Sequence, residues 1–413
     1  MEELISWREA VELIISSAKP KTSEEIPIKH SLDCYTSKEI QIDTPYPPFH
    51  IAQVKGYGVN STLIKEKLNK GEFPVRIKVE GEISPSILKE RDPGVLRAFR
   101  VRVGGALPKW LDAVVAEEDA TLEGAYLLLR EEVKQFSGLI PAGSVFHESL
   151  SRINANQKIT YQEFALLVVH GFEKIQVWKK PLVGVQVFGC ALTDSSNNNF
   201  PKGKVRDIII PIFRALAEKN GCLFIPLGVV ENFSCEAIDT ALMQADVVIA
   251  SGVIGENEWL SMVRHLDGQL KVLVKGVNHP LGKWLITACS GDKWFFFVPY
   301  APSFFLAVYS LLIYPTLAAL KGETERSFSL RNGRLWEDKE EEVKGDNLWI
   351  GIEEKHLGET AEARIKLITQ ISKANLQLVK EGNVFAITST QQTIHVCGEF
   401  LTYVPYSPAL VTG

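Results

Sequence analysis

The stretch Ala245-Asp-Val-Val-Ile-Ala-Ser-Gly-Val-Ile-Gly-Glu-Asn-Glu-Trp259 constrains the fold of this chain more than any other. An apolar, β-branched run ends at Ser251-Gly252, a short glycine loop follows, and a helical pattern begins. In that helix Trp259, Met262, Val263 and Leu266 recur at i, i+3, i+4 and i+7, the spacing of one buried stripe. A strand covered on both faces reads as an uninterrupted apolar run, and the loop at its carboxyl end is where open α/β sheets bind ligands. A site is therefore expected beyond Ser251.

With 413 residues the chain exceeds one ordinary core, and about two to four domains are expected. A hydrophobic share of 46% and a charged share of 23% are globular, and a net charge of −5 gives no footprint for nucleic acid. The six cysteines form no CxxC pair and no zinc-finger spacing with His, so they read as reduced thiols of a cytoplasmic protein. The opening Met-Glu-Glu-Leu-Ile-Ser-Trp lacks the basic and apolar regions of a signal peptide. Trp294 to Leu320 has about the length of a membrane span. Pro299, Pro302 and Pro315 punctuate it, so a buried strand, a turn and a buried helix are expected, with no membrane partner.

Leu4, Trp7, Val11, Ile14 and Ala18 make an amino-terminal helical stripe that stops before Pro20. Short runs at Val75–Val79, Leu96–Val103, Ala113–Val115 and Ala125–Leu129, separated by Gly and Pro, predict a small β-rich domain over 44–133. From Leu182 strands and helices alternate: strand Leu182–Phe188, a Ser/Asn-rich loop Thr193–Asn199, helix Val205–Asn220 burying Val205, Ile208, Ile209, Ile212 and Leu216, strand Leu223–Leu227, helix Glu236–Gln244, strand Asp246–Ala250, and a strand near Lys271–Lys275. Such alternation predicts a mostly parallel sheet covered on both faces. A polar linker, Gly322-Glu-Thr-Glu-Arg326, and a β-rich tail with a charged loop, Glu337 to Lys344, close the chain.

Several blocks occur in an order that resembles the molybdopterin molybdenumtransferase family, which includes bacterial MoeA and the E domain of gephyrin. Pro47-Pro-Phe49 followed by Gly56-Tyr-Gly-Val59 is similar to the family's Pro-x-Phe-Asp-Asn-Ser-x-Met-Asp-Gly-Tyr-Ala-Val block. Gly104-Gly-Ala-Leu-Pro108 with Asp112-Ala-Val-Val115 resembles Thr-Gly-Ala-x-Pro-x-Gly-x-Asp-Ala-Val-Val. Ile140-Pro-Ala-Gly143, Asn220-Gly-Cys222, Gln244-Ala-Asp-Val-Val-Ile249 and Gly398-Glu-Phe-Leu-Thr-Tyr-Val404 continue the series. The resemblance implies an α/β plus β, multi-domain protein. Residues 1–20 would be a helix packing on the α/β domain, 21–43 with 134–180 a linker and dimerisation domain, and 44–133 a β-rich domain. Residues 181–321 would form a MoaB/Mog-like three-layer α/β domain that binds molybdopterin, and 326–413 a small β domain.

The same resemblance implies a homodimer, partners in the molybdenum cofactor pathway, and molybdopterin or adenylylated molybdopterin with Mg as cofactor. Family chemistry inserts molybdate and releases AMP, which needs carboxylates around a divalent cation and amides and lysines for anions. Those acids are largely replaced here. The Met-Asp-Gly-Tyr aspartate falls on Lys55, and Thr-Gly-Asp-Glu on Gly189-Cys-Ala-Leu192. The Gly-Glu-Asp element reads Ser137-Gly-Leu139, Ser-Gly-Gly-Val-Ser-Val-Gly is shortened to Ser251-Gly-Val-Ile-Gly255, and Lys-Pro-Gly-Lys-Pro becomes Lys275-Gly-Val-Asn-His-Pro280. Leu-Pro-Gly-Asn-Pro becomes Val298-Pro-Tyr-Ala-Pro302, where Tyr300 is expected to block the pocket floor.

The candidate ligand-binding residues are Ser251, Gly252, Gly255, Glu258, Lys275, Lys55 and Asp194. Ser251, Gly252 and Gly255 present a strand-end loop to an anion or pterin, or form a plain turn. Glu258 orients a ligand, or with Glu256 complements a helix dipole. Lys275 is the retained lysine of an anion motif, or a solvated strand-end charge. Lys55 is a new anion clamp or a surface lysine, and Asp194 a displaced carboxylate or a turn cap. His279 has no second metal-ligating side chain at the right spacing. The expected function is a non-catalytic or strongly altered cofactor-binding relative of the transferase. The alternatives are an active transferase or pterin- or nucleotide-binding enzyme with a remodelled pocket, and a dimeric interaction scaffold.

Overall fold

Apolar β-branched runs and helical stripes build the central element of the computed structural model, a six-stranded sheet. The structure describes residues 4–20, 22–42, 44–83, 88, 92–146, 152–195, 202–323, 330–340, 347–354, 363–388, 394–395, 397 and 399–406. Parts of the Ser/Asn-rich loop, the polar linker and the charged loop, together with Gly398, lie outside them. The chain divides into two units, one of residues 1–38, 155–161 and 174–413, the other of residues 39–154 and 162–173.

In the first unit the sheet comprises β1 (Leu182–Phe188), β2 (Leu223–Val230), β3 (Val247–Gly252), β4 (Lys271–Lys275), β5 (Ile286–Ser290) and β6 (Lys293–Pro299), in the order β2-β1-β3-β6-β5-β4. The pairs from β2 to β6 are parallel, whereas β5 runs antiparallel to both β6 and β4. The sheet is mostly parallel, as the α/β alternation predicts, and β5 adds the two antiparallel pairings. The added strand β5 joins β6 through the tight Gly291-Asp292 connection, which carries no helical spacing to mark it.

All six residues of β3 are buried, as a doubly covered strand requires. Val247 and Ile249 pack with Val183, Val185 and Val187 of β1 against helices α1 (Trp7–Ser17), α2 (Ile209–Lys219) and the long segment α5 (Pro302–Leu320). Val248 and Ala250 face the other way, onto α3 (Cys235–Gln244) and α4 (Glu256–Asp267), through Ile238, Ala241, Met262 and Leu266. The period-2 alternation of β3 therefore divides two cores.

α1 begins at Ser6, whose hydroxyl accepts from the Glu9 N–H at 3.2 Å while the Glu9 carboxylate accepts from the Ser6 N–H at 2.8 Å. This reciprocal pair satisfies two amides that the first turn would leave open. α5 is long and apolar enough to cross a membrane by composition, with a mean hydropathy of 1.8, yet its apolar window is entirely buried inside the unit. A π turn at Tyr309–Ile313 precedes Pro315, whose missing N–H interrupts the regular ladder. The strand, turn and helix read from the proline pattern are all present.

α2 is shorter than the predicted helix Val205–Asn220. Val205 and Arg206 instead form a short parallel pairing with Leu192 and Thr193, and Val205 is 60% exposed. The buried stripe is Ile209, Phe213, Leu216 and Ala217, with Ile208 and Ile212 only half-buried. After α5 the chain closes a five-stranded barrel from Arg331–Leu335, Asn347–Glu354, Ala363–Gln370, Val384–Thr388 and Phe400–Pro405. Closure leaves this small sheet without an open edge.

The second unit holds a six-stranded sheet over Gly56–Val59, Val75–Glu82, Ala98–Val101, Ala113–Ala116, Thr121–Glu123 and Tyr126–Leu129. Its core gathers Tyr57, Val59, Ile64, Val75, Ile77, Ala98 and Leu127. It also contains the helix Ser61–Asn69, capped by the Asn60 side chain, which the strand-like reading of this region does not anticipate. Its first turn is anchored by Asp112, whose carboxylate accepts from the Ser61 N–H at 2.7 Å and the Ser61 hydroxyl at 2.8 Å.

Candidate functional site

The carboxyl ends of β1, β2, β3 and β6 share one edge of the central sheet, because these four strands run parallel. Ser251, near the end of β3, lies in register with Val187 of β1 and Val298 of β6. It is fully buried, and its hydroxyl has no hydrogen-bond partner among the described residues. Gly252 follows in close contact with β1: a Cβ there would lie 2.8 Å from the Phe188 carbonyl oxygen. Only glycine fits without moving that strand.

Two acids that the motif comparison leaves unnoticed stand near this edge. Asp207 is 1% exposed, and its carboxylate accepts from the N–H groups of Ile209 at 3.0 Å and Ile210 at 2.9 Å. It therefore caps α2. Glu231, just beyond β2, is exposed and pairs with the Lys204 ammonium at 2.7 Å; the Lys204 hydrogen bond holds its carboxyl below the usual range. Lys204 also donates to the Cys190 carbonyl oxygen, in the turn where the family has Thr-Gly-Asp-Glu.

Tyr300 is held at both its backbone and its hydroxyl. Its N–H donates to the Gly252 carbonyl at 3.0 Å, and its hydroxyl accepts from the Ile208 N–H at 3.3 Å. Burial pushes its phenol up to about 12, and the neighbouring Asp207 carboxylate acts in the same direction. It ties the end of β6 to the start of α2.

Each of the other candidates has a local setting of its own. The Glu258 carboxylate accepts from the Gly255 N–H at 2.7 Å, so both residues complete the first turn of α4. Lys275 ends β4 with its ammonium 3.5 Å from the Asp267 carboxylate. Asp194 is exposed, just after the Leu192–Thr193 strand. Lys55 belongs to the other unit and pairs with Glu117 at 2.5 Å, both largely exposed. His279 is buried, stacked on Phe304 at 5.2 Å, and its Nδ1 accepts from the N–H groups of Leu281 and Gly282. Burial depresses its imidazole to about 4.

Lys275 also lines a cavity of about 560 Å³ that runs along α4. Trp259, Val263 and Arg264 form one wall, Lys283 and Trp284 the other. The two indoles meet edge to face at 6.3 Å, the Trp259 N–H donates to the Trp284 carbonyl, and Lys283 sits 5.1 Å above the Trp284 ring. Glu256 and Asp267 line the same cavity, so its aromatic faces have charges of both signs beside them.

Magnesium takes near-octahedral oxygen ligation, with carboxylates left free to bind it. Asp207 is engaged by α2 and Glu231 by Lys204, and among the described residues no three His, Cys, Asp or Glu side chains come together. Among the described residues, the two carboxylates near this edge thus already serve structural contacts. The Ser251 hydroxyl is the group on this loop left without a partner among the described residues, since the Gly252 carbonyl and the Gly255 N–H are already engaged.

The sheet and the appended barrel define a multi-domain protein with an α/β core and a small closed β-barrel. The family model described as MoeA N-terminal region (domain I and II) matches residues 5–171. Molybdopterin molybdenumtransferase of Bacillus subtilis (strain 168) is 24% identical over 329 residues, 77% of this chain and 76% of that protein. The Staphylococcus epidermidis protein of the same name is 23% identical over 326 residues, with the same coverage. The crystal structure of the molybdopterin biosynthesis MoeA protein from Pyrococcus horikoshii superposes with a TM-score of 0.74 at 22% identity, covering 98% of this chain and 99% of that one. Residues 5–171 thus match the MoeA N-terminal region, and the chain as a whole shares the fold of the Pyrococcus horikoshii MoeA structure.

Proposed function

We propose that this chain serves molybdenum cofactor metabolism by binding a pterin or its nucleotide derivative, without the Mg-dependent transfer of its family. One observation carries the reading: the charged groups near the sheet edge are already engaged in structural contacts. Asp207 holds α2 amides, Glu231 holds Lys204, and Glu258 holds the Gly255 amide. Removing one oriented group from an active site commonly costs roughly 3 kcal/mol of transition-state stabilisation, and several are replaced here. Ser251, Gly252 and Lys275 would then contact the ligand. A cytoplasmic homodimer working with other pathway proteins belongs to the same reading.

The test is incubation of the purified full chain with adenylylated molybdopterin, molybdate and Mg. Retained pterin, seen by fluorescence after oxidation, is expected together with AMP release no faster than without protein. Binding should weaken in Lys275→Ala and Ser251→Leu. Mg-dependent AMP release well above that background overturns the proposal. The second reading, a pterin- or nucleotide-binding enzyme with a remodelled pocket, is favoured by the tryptophan- and lysine-lined cavity along α4. Turnover of a bound nucleotide that is abolished in Trp259→Ala would select it.

A further inference from the structure

A second cavity, of about 360 Å³, opens between the start of α1 and the carboxyl-terminal barrel, away from the sheet edge described above. Its lining contains two buried polar groups that the fold leaves unanswered. His395 is 1% exposed, and among the described residues neither ring nitrogen makes a hydrogen bond. Its Nδ1 lies 3.4 Å from the Glu399 carboxylate, within ion-pair range but without hydrogen-bond geometry. The ring is held edge-on by Trp349 at 6.0 Å. Trp7, 0% exposed, likewise has an indole N–H without a partner. Such orphans are costly when buried, and native chains keep few of them.

The third polar group is Arg8, exposed at the mouth, which donates one guanidinium N–H to the Thr402 hydroxyl at 2.6 Å and has further donors to offer. Indole and guanidinium are donors only, whereas an imidazole carries one N–H when neutral and two when protonated. Leu335, Leu367, Ile387 and Leu401 form the apolar part of the lining, beside the hydroxyl residues Ser6, Thr388 and Thr402. Unanswered donors in a lining with an apolar part favour an acceptor with an apolar body. The Glu399 carboxylate disfavours a multiply charged anion such as a phosphate, since Arg8 is the one guanidinium in the lining. The volume suits a small molecule.

We propose that this cavity binds a small organic monocarboxylate, its carboxylate received by Arg8 with His395 and Trp7 and its apolar part resting on the barrel residues. The site is independent of the pterin reading. The full chain would be titrated with 4-fluorobenzoate and, separately, with neutral 4-fluorobenzyl alcohol, followed by fluorine NMR. Saturable binding of the acid is expected, with affinity about tenfold weaker for the alcohol and for Arg8→Gln. His395→Phe should weaken the acid similarly. Because Arg8 is exposed, its variant keeps the test decisive if the buried His395 variant fails to fold. Equal binding of acid and alcohol, unchanged binding in Arg8→Gln, or no saturation in the millimolar range overturns the proposal.

Discussion

Asp207 holds the amides of Ile209 and Ile210 from an almost fully buried position, so replacing it opens the first turn of α2 and empties a polar niche. Asp207→Ala should lower stability by about 2 kcal/mol, and Asp207→Asn by less because its carbonyl still accepts one amide. Denaturant midpoints at constant slope would measure both; no shift in either would mean the cap is idle. His279 supplies a pH effect of defined sign. Its imidazole titrates near 4 in the folded chain because it is buried, against about 6.5 when exposed. The unfolded chain therefore binds the extra proton between those values, and stability falls as pH drops from 6.5 towards 4, by up to on the order of 3 kcal/mol. In His279→Asn, which keeps an acceptor for Leu281 and Gly282 but does not titrate, that part of the pH slope should vanish. Residue roles of this kind are hard to read from sequence. Asp207 sits among five isoleucines and valines whose helical spacing invites a longer helix, and nothing in the string shows that its carboxylate turns back onto the next amides. Glu258 shows the converse: its position after a glycine loop is legible, and the structure uses it for the capping role weighed against ligand binding.

α1 shows how far patterning carries at the level of an element. Its stripe of Trp7, Val11 and Ile14 is buried as the spacing predicts, because helical periodicity and a single apolar neighbour surface are enough to specify it. The reciprocal Ser6–Glu9 cap adds what the stripe alone cannot, a fixed starting point. Ser6→Ala should cost about 1 kcal/mol and speed hydrogen exchange at the first amides of the helix, while leaving those of β3 unchanged. Protection that survives the substitution would show that packing of Trp7 alone sets the helix start. The same logic explains which elements escape the sequence. β3 and α4 are legible because apolar runs and 3.6-residue stripes are strong local signals. β5 is not, since Ile286–Ser290 is short, and the Ser61–Asn69 helix is weakly amphipathic, with Ser61 and Ile64 its buried residues. In both cases tertiary contacts, not local pattern, decide the conformation.

For the whole molecule, the order of weak motifs conveys the family while the loss of individual charges conveys the divergence, because a fold is held by many apolar positions and a reaction by few oriented ones. The cores themselves are separate in sequence and in packing. The unit of residues 39–154 and 162–173 buries Val59, Ile77, Ala98 and Leu127 among its own strands, while the central sheet draws its core from residues of the other unit. Leu127 is 0% exposed, so Leu127→Ala should leave a cavity costing about 2–5 kcal/mol. If each core is its own cooperative unit, that loss stays local. Amides of Gly56–Val59, Val75–Glu82 and Tyr126–Leu129 should then exchange by about two orders of magnitude faster, with those of Val247–Gly252 and Lys293–Pro299 unaffected. Hydrogen-exchange mass spectrometry resolves these peptides. Equal acceleration in both sets would show that the two cores open together, and that the chain unfolds as one body despite its divided packing.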